Sequence, residues 1–438
     1  MSRRRRKKLP TEPVKVTIDR LSHEGRGIAQ IEGKTIFIDG GLPGEEVMFV
    51  YTSRRAKLDE GRVVEVIKAA DDRVEPPCPH FNVCGGCRLQ HMSVPAQIAL
   101  KQSVLIEQFK HLANIEIDNI IEPLTDQTLG YRRKARLGVR YVIKKEKLLV
   151  GFREKNGGFL TDMNSCPVLD DSVGQRIEAL QHLIGDMEAY NKIAQIEVAV
   201  GDNTTVLVFR NLEPLSELDT NALISFGEEN NICMWIQPAG PDSAIPLNDS
   251  YPTLSYDLPD DKLTLNFLPT DFTQVNAGIN RKMITRAIDA LQLSSTTRVL
   301  DLFCGIGNFS LALAKHCEHV IGIEGSEALV VRARENSELN NIANIEFIAA
   351  DLTEGLPEAV KNIDCLLLDP PRSGALEIVS CIGEMAPQRI VYISCNIATL
   401  ARDTAELVAH GYRLCSAGIM DMFPHTAHVE SMAVFEKI

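Results

Sequence analysis

No run of apolar residues in this chain approaches the roughly 20 needed to cross a bilayer, which excludes a helical membrane protein. The basic stretch Met1–Lys8 has no apolar segment behind it, so it does not read as a secretory signal. A cytoplasmic protein with no membrane partner is the expectation. Thiols stay reduced there, so eleven cysteines point to metal ligation or chemistry and away from a disulfide framework. Net positive charge is missing too: the chain carries −13 at neutral pH, a poor balance for binding a polyanion. In one half of the chain the sign is reversed. Residues 1–155 hold 29 Lys and Arg against 20 Asp and Glu, while the remainder holds 17 against 39. Such asymmetry fits a basic half that meets phosphates and an acidic half with another task. The 438 residues are too many for one core and imply two or three domains.

The basic half begins with Arg3–Lys8, a like-charge block that repels itself, so residues 1–11 read as a disordered tail. Five short apolar runs follow, Val14–Ile18, Gly27–Ile31, Thr35–Ile38, Glu46–Val50 and Gly61–Ile67, separated by turns rich in glycine. Strands at this spacing predict a small closed β-barrel of the OB type over residues 12–70, a shape often used on RNA. Next comes Cys78-Pro-His-Phe-Asn-Val-Cys84-Gly-Gly-Cys87, with Cys166-Pro167 farther on. Cysteines separated by two residues bring both sulfurs to one metal, and the glycines between them permit the tight turn. Four thiolates suit zinc or an iron–sulfur cluster, and spacing does not separate the two. Either would be structural, because four protein ligands leave no open coordination position. Pro95 to Ala113 carries a helical apolar stripe. After it, Tyr131–Arg136, Arg140 and Lys144-Lys145 interleave cations with aromatics on expected strands, a face suited to phosphates and unstacked bases. Residues 71–265 thus read as a central mixed α/β domain, with no chemistry of its own in the stretch 170–265.

Residues 266–438 read as a Rossmann-like α/β domain. An amphipathic helix (Ile279, Met283, Ile284, Ala287, Ile288, Leu291) leads into Arg298-Val-Leu-Asp301-Leu-Phe303-Cys-Gly305-Ile-Gly307-Asn308 and then the strand Val320–Glu324. The glycines let a ligand approach the backbone, and an acid ending the second strand can accept two ribose hydroxyls. The turn alone would equally suit NAD, but the dinucleotide fingerprint lacks its third glycine, since Ser310 stands there. Strand Asp364–Leu368 ends in Asp369-Pro-Pro371-Arg372. The buried-strand run Ile390–Ile393 stops at Ser394-Cys395-Asn396, ahead of a helical pattern from Ala398 to Ala409, and a closing strand is expected over Ser431–Glu436. Ligands sit at the carboxyl ends of strands in such sheets, and a thiol placed there is a candidate nucleophile. Asp-Pro-Pro also resembles the loop by which amino-group methyltransferases polarise an exocyclic amine, although Arg372 takes the place of its aromatic residue.

Taken together these motifs carry a family resemblance. Asp301-x-Phe303-Cys-Gly305-x-Gly307-x-Phe309 is similar to the cofactor motif of S-adenosylmethionine (SAM) methyltransferases. That resemblance implies SAM held by Gln274, Phe303, Asn308 and Glu324, near Asp369, with Asp351 at the adenine. Two further signatures resemble the RNA uracil-5 methyltransferase family. The first is Asp369-Pro-Pro-Arg-x-Gly374 with Ile390-Val-Tyr-x-Ser-Cys395-Asn-x-x-Thr399; the second is Ile419-x-Asp421-x-Phe423-Pro-x-Thr426-x-His428-Val-Glu430. Gly25-Arg-Gly27 and Pro43-Gly44-Glu45 resemble the TRAM domain, and Cys78, Cys84, Cys87 and Cys166 match positions that carry a [4Fe–4S] cluster in a subset of that family. The implied architecture is a SAM methyltransferase domain behind a TRAM-like barrel and a central iron–sulfur domain. The implied activity is C5 methylation of a uridine in 23S ribosomal RNA, with the chain expected to be a monomer. In it Cys395 attacks C6, Glu430 removes the C5 proton and Asp369 bonds the uracil edge. His425 and His428 are alternative bases by residue type, with loop-shaping the favoured role for both. Three alternatives stand beside it: the same chemistry on a tRNA uridine, amino-directed base methylation through Asp369, and a non-catalytic RNA-binding ribosome assembly factor.

Overall fold

The structure is a computed structural model that describes residues 9–155, 157–357 and 360–438. The like-charge block Arg3–Lys8 lies outside the described residues. The chain divides into two compact units, one of the residues up to Val104 with His425–His428, the other of Leu105–Pro424 with Val429–Ile438. Among the described residues no helix is long and apolar enough to cross a membrane.

Among the described residues the first unit holds six strands: β1 (Val14–Thr17), β2 (Arg20–Leu21), β3 (Gly27–Ile31), β4 (Lys34–Asp39), β5 (Glu46–Arg54) and β6 (Asp59–Lys68). The five expected strands all form, and the two-residue β2 joins them; so short a segment leaves no periodic trace in a sequence. The sheet runs β1-β5-β6-β4-β3-β2. Its two edges meet, because Asp19 N–H, just past β1, donates to Ile28 O on β3 at 2.8 Å. Closure removes the exposed edges and wraps the sheet around Ile18, Ala29, Ile36, Ile38, Val47 and Phe49, each almost fully buried. Gly61 is needed at this wall, since a Cβ there would lie 2.5 Å from the Phe49 ring. The cysteine segment 78–87 follows in a series of turns, and the helix Val94–Gln108 runs on from the unit.

The second unit contains two large sheets. One has the order β12-β11-β10-β9-β7-β8, built from β7 (Lys134–Val142), β8 (Lys147–Gly151), β9 (Ile193–Val200), β10 (Thr205–Asn211), β11 (Ile232–Ile236) and β12 (Ile245–Pro246). On β7, Leu137 and Val139 turn inward while Arg136 and Arg140 are exposed, so strand alternation does place these cations on one face. A hairpin of β13 (Leu254–Leu258) and β14 (Leu263–Phe267) comes next, then the helix Ala277–Leu291, capped where Asn276 Oδ1 accepts from Ile279 N–H.

The other sheet comprises β15 (Arg298–Leu302), β16 (His319–Glu324), β17 (Ile345–Ala349), β18 (Cys365–Leu368), β19 (Arg389–Ser394), β20 (Tyr412–Met420) and β21 (Glu430–Lys437). Its order is β17-β16-β15-β18-β19-β21-β20, parallel except for β21. Helices cover both faces of such a sheet, so its strands must be apolar throughout. Leu366 to Leu368 and Ile390 to Ile393 are all fully buried, each side chain contributing about 1.5–3 kcal/mol. The strand order reverses between β15 and β18, and the carboxyl edge at such a reversal is where ligands bind in sheets of this kind.

Candidate active site

Four strand ends deliver the expected residues to that edge. Phe303 follows β15, Glu324 ends β16, Asp369 follows β18 and Cys395 follows β19. Glu430 arrives by a different route, as the first residue of the antiparallel β21, whose start lies where the neighbouring strands end. Ser394 faces Ser431 in this register, and Ser431 Oγ donates to Ser394 O at 3.1 Å, so Cys395 and Glu430 flank the same strand pair. The closing strand thus begins one residue earlier than its apolar pattern predicts, at Glu430 itself, because Glu430 pairs with Met420 of β20. Membership of the ladder fixes its backbone more firmly.

The loops carrying Asp369 and Cys395 are tied to one another. Asn396 Oδ1 accepts from Ala398 N–H and caps the helix Ile397–Ala409, while its Nδ2 donates to Arg372 O at 2.9 Å. Tyr392 OH donates to the buried Asp403 at 2.6 Å, and Asp403 accepts from Ala375 N–H at 2.8 Å. Gly374, at φ +81°, packs where a Cβ would lie 2.6 Å from both Arg402 and Asp403. Much of the Asp-Pro-Pro-Arg-x-Gly and Tyr-x-Ser-Cys-Asn pattern therefore serves to hold two loops in register. Arg372 is the residue to which the sequence pattern assigns no role. Its positive charge pulls the proton affinities of Cys395 and Glu430 down.

Charge at this edge is strongly perturbed. Burial pushes the Asp369 carboxyl up to about 7. Burial, and then the charge of Asp369, hold Glu430 well above the ordinary carboxylate range, against the pull of Arg372. The Cys395 thiol is raised by burial first and by Glu430 and Asp369 after it, with Arg372 opposing. A sulfur, two carboxyls with unusual proton affinity and one cation at the carboxyl edge of the sheet form an arrangement for covalent and proton-transfer chemistry. His425 is held elsewhere, by Gln97: its N–H donates to Gln97 Oε1 at 3.0 Å and its ring Nδ1 lies 3.3 Å from Gln97 Nε2, within the first unit.

The cofactor side is shaped by backbone. Phe303, Gly305 and Gly307 all take positive φ, +65°, +56° and +89°, which coils the chain after β15 into a tight turn. Nothing stands within 4 Å of where a Gly305 Cβ would be, leaving open space beside the turn for a ligand. Glu324 accepts from Gly305 N–H and from Ser326 N–H, both at 3.1 Å, which fixes the carboxylate and leaves lone pairs for hydroxyls. Gln274 Nε2 reaches Asp369 Oδ2 at 3.5 Å, linking this side to the reactive edge. The residues present fit SAM. Asn308, expected to touch the cofactor, has its amide engaged by Asn280 and Tyr256. Asp351 is exposed, its Oδ1 accepting from Thr353 N–H and Oγ1, in a turn after β17.

Of the four candidate metal ligands, Cys78 and Cys84 are buried and Cys87 half-buried in the first unit, and Cys166 is buried in the second. Cys84 Sγ accepts from Gly86 N–H at 3.4 Å, a contact suited to a thiolate. Among the described residues no three His, Cys, Asp or Glu side chains form a group able to hold a metal ion. The fit to a cluster therefore rests on donor chemistry and burial.

Comparison with known proteins gives the family and the fold. Residues 101–438 match the family described as tRNA (Uracil-5-)-methyltransferase, and residues 8–48 match the TRAM domain. The chain is 51% identical to the 23S rRNA (uracil(1939)-C(5))-methyltransferase RlmD of Alkalilimnicola ehrlichii, over 99% of both chains. It is 50% identical to the enzyme of that name from Legionella pneumophila strain Corby, over 95% of this chain and 96% of the other. The crystal structure of Pyrococcus abyssi tRNA (uracil-54, C5)-methyltransferase with S-adenosyl-L-homocysteine superposes with a TM-score of 0.75 at 23% identity, covering 96% of this chain and all of that one. That last likeness speaks for the fold.

Proposed function

This chain belongs to the RNA uracil-5 methyltransferase family, and on that footing we propose that it methylates C5 of a uridine in 23S ribosomal RNA, with SAM as methyl donor. The observation that carries the substrate is similarity over nearly the whole chain to enzymes named for 23S rRNA uracil 1939. The likeness to a tRNA enzyme is one of fold at 23% identity, so it does not favour tRNA.

C5 of uracil is a poor nucleophile and needs electron density added to the ring. Attack of the Cys395 thiolate on C6 supplies it, leaving an enolate whose C5 can take a methyl group. Arg372 favours the thiolate, and Asp369, whose proton affinity burial raises, can hydrogen-bond the uracil edge and favour the enolate. When bound, SAM supplies the methyl group as an electrophile. The C5 proton then passes to Glu430, whose raised proton affinity makes it a stronger base than a surface carboxylate, and the C6–S bond breaks. Gln274, Phe303, Asn308, Glu324 and Asp351 form the cofactor side of this reading. The target base must be unpaired to reach the sheet edge, and the barrel over residues 12–70 with the cations of β7 would hold flanking RNA. Nucleoside mapping of RNA from a deletion strain tests the assignment: 5-methyluridine should vanish at one 23S position and return with the gene. Loss of a tRNA uridine methylation, or of an N-methylated base, would contradict it.

Cys78, Cys84, Cys87 and Cys166 are proposed to hold a [4Fe–4S] cluster that joins residues far apart in sequence, with zinc as the competing ion. Anaerobically purified protein should be brown, absorb broadly near ~400 nm and release iron and sulfide. A colourless protein with one bound zinc would reverse the choice.

A further inference from the structure

The turn proposed to cradle SAM contains three positive-φ residues, of which Phe303 is not a glycine. Two side chains from distant parts of the sequence brace it. Tyr256, on β13 and 9% exposed, donates its hydroxyl to Asn308 Oδ1 at 2.8 Å. Asn280, 5% exposed on the helix Ala277–Leu291, makes a reciprocal amide pair with Asn308: Asn280 Nδ2 to Asn308 Oδ1 at 3.0 Å, and Asn308 Nδ2 to Asn280 Oδ1 at 2.9 Å. Both lone pairs of Asn308 Oδ1 are thus filled by protein, and one amide N–H is left for anything else. An amide so committed holds its own loop in place more than it grips a ligand.

The two braces are themselves locked together by Asp202. Its Oδ2 accepts from Asp257 N–H at 2.8 Å and from Arg281 Nη2 at 2.7 Å, and its Oδ1 accepts from Arg133 Nη1 at 2.5 Å. Asp257 and Arg281 are the immediate neighbours of Tyr256 and Asn280. Arg281 Nε also donates to Asp257 O at 3.0 Å. The turn bearing Asp202 is fastened to β13 by Asp202 N–H to Ser255 O at 2.7 Å and by Asn203, which bonds Thr253 O and Ser255 N–H. Gly201 is required there, since a Cβ would lie 2.5 Å from Ser255 O.

We propose that Tyr256 and Asn280 are positioning residues for the SAM site, acting through Asn308 to preset the glycine turn, with Asp202 keeping the two braces in register. The inference rests on SAM being the ligand of that turn. A preset turn lowers the ordering that binding must impose, so the loss should fall on cofactor affinity and leave chemistry at saturation largely intact.

The test uses the full-length protein and SAM itself. Tyr256→Phe removes only the hydroxyl and keeps the ring packed on Phe267, whose centroid lies 5.8 Å away. Its Kd and KM for SAM should rise about three- to tenfold, the size of one net hydrogen bond, while kcat and the KM for RNA stay within about twofold. Asn280→Ala should raise the SAM constants further, with kcat again spared. Unchanged SAM affinity in both variants, or equal losses in kcat and in RNA KM, would overturn the proposal. Failure of the unaltered protein to bind SAM would instead overturn the cofactor assignment, and this inference with it.

Discussion

Cys395→Ala is expected to abolish methyl transfer, by on the order of 10⁴-fold or more, and to eliminate any covalent protein–RNA species. Among the described residues no other group at this edge replaces it. Asp369 and Glu430 are weak nucleophiles toward an aromatic C6, and the cysteine beside the glycine turn, Cys304, is buried with its thiol raised well above the ordinary range by that burial. The chemistry of the cleft also predicts a pH profile. Burial and the charges of Glu430 and Asp369 raise the Cys395 thiol above its ordinary value of 9.0, so the thiolate is the minor form at neutral pH in RNA-free protein. Its population grows with pH below the raised pKa, and kcat/KM for RNA should therefore climb from pH 7 toward 9. Single-turnover methylation by Cys395→Ala would remove the sulfur from the mechanism.

Glu430→Gln is expected to attack and methylate, then stop. The substitution is close to isosteric at a site only 4% exposed, so the strand pairing of β21 should survive. Cys395, Arg372 and Asp369 are all retained, so addition to C6 and methyl transfer should proceed. What is lost is the base, worth roughly 10²–10⁴-fold in turnover, and without it the C6–S bond has no route to break. A methylated, SAM-dependent covalent complex should accumulate and be visible on a denaturing gel. Turnover near the native rate, or inactivity with no complex at all, would give the proton to another group.

The reactive edge is legible in the sequence because its parts are local. Ile390 to Ile393 is an uninterrupted apolar run, and such a run in a parallel sheet must end where ligands bind. Cys395 follows it directly, and the glycine turn after β15 is likewise a contiguous motif. The barrel is legible for a similar reason: alternating short runs and glycine turns have few other solutions. What escapes is what tertiary contact creates. Asp202, Tyr256, Asn280 and Asn308 share no spacing, and the first two lie in a stretch that offers no motif. Arg372 is visible as a member of the Asp-Pro-Pro-Arg-x-Gly signature, but its effect on Cys395 and Glu430 is not, since that depends on the Asn396 and Asp403 bonds that set the two loops. Asn308 belongs to the turn its motif predicts, but no spacing shows that its amide is committed to Tyr256 and Asn280. Domain limits drawn from composition at residues 70 and 265 remain proposals, since the compact units divide at Val104 with a return of His425–His428 to the first.

The most direct test of covalent catalysis by Cys395 is to offer the native enzyme SAM and a 23S fragment carrying 5-fluorouridine at the target position. Fluorine cannot leave C5 as a proton does, so the reaction should arrest after methyl transfer. Mass spectrometry of the digested complex should then find the peptide bearing Cys395 linked to a 5-fluoro-5-methyl-dihydrouridine. Attachment through any other residue, or methylated RNA released with no linkage to protein, would contradict it.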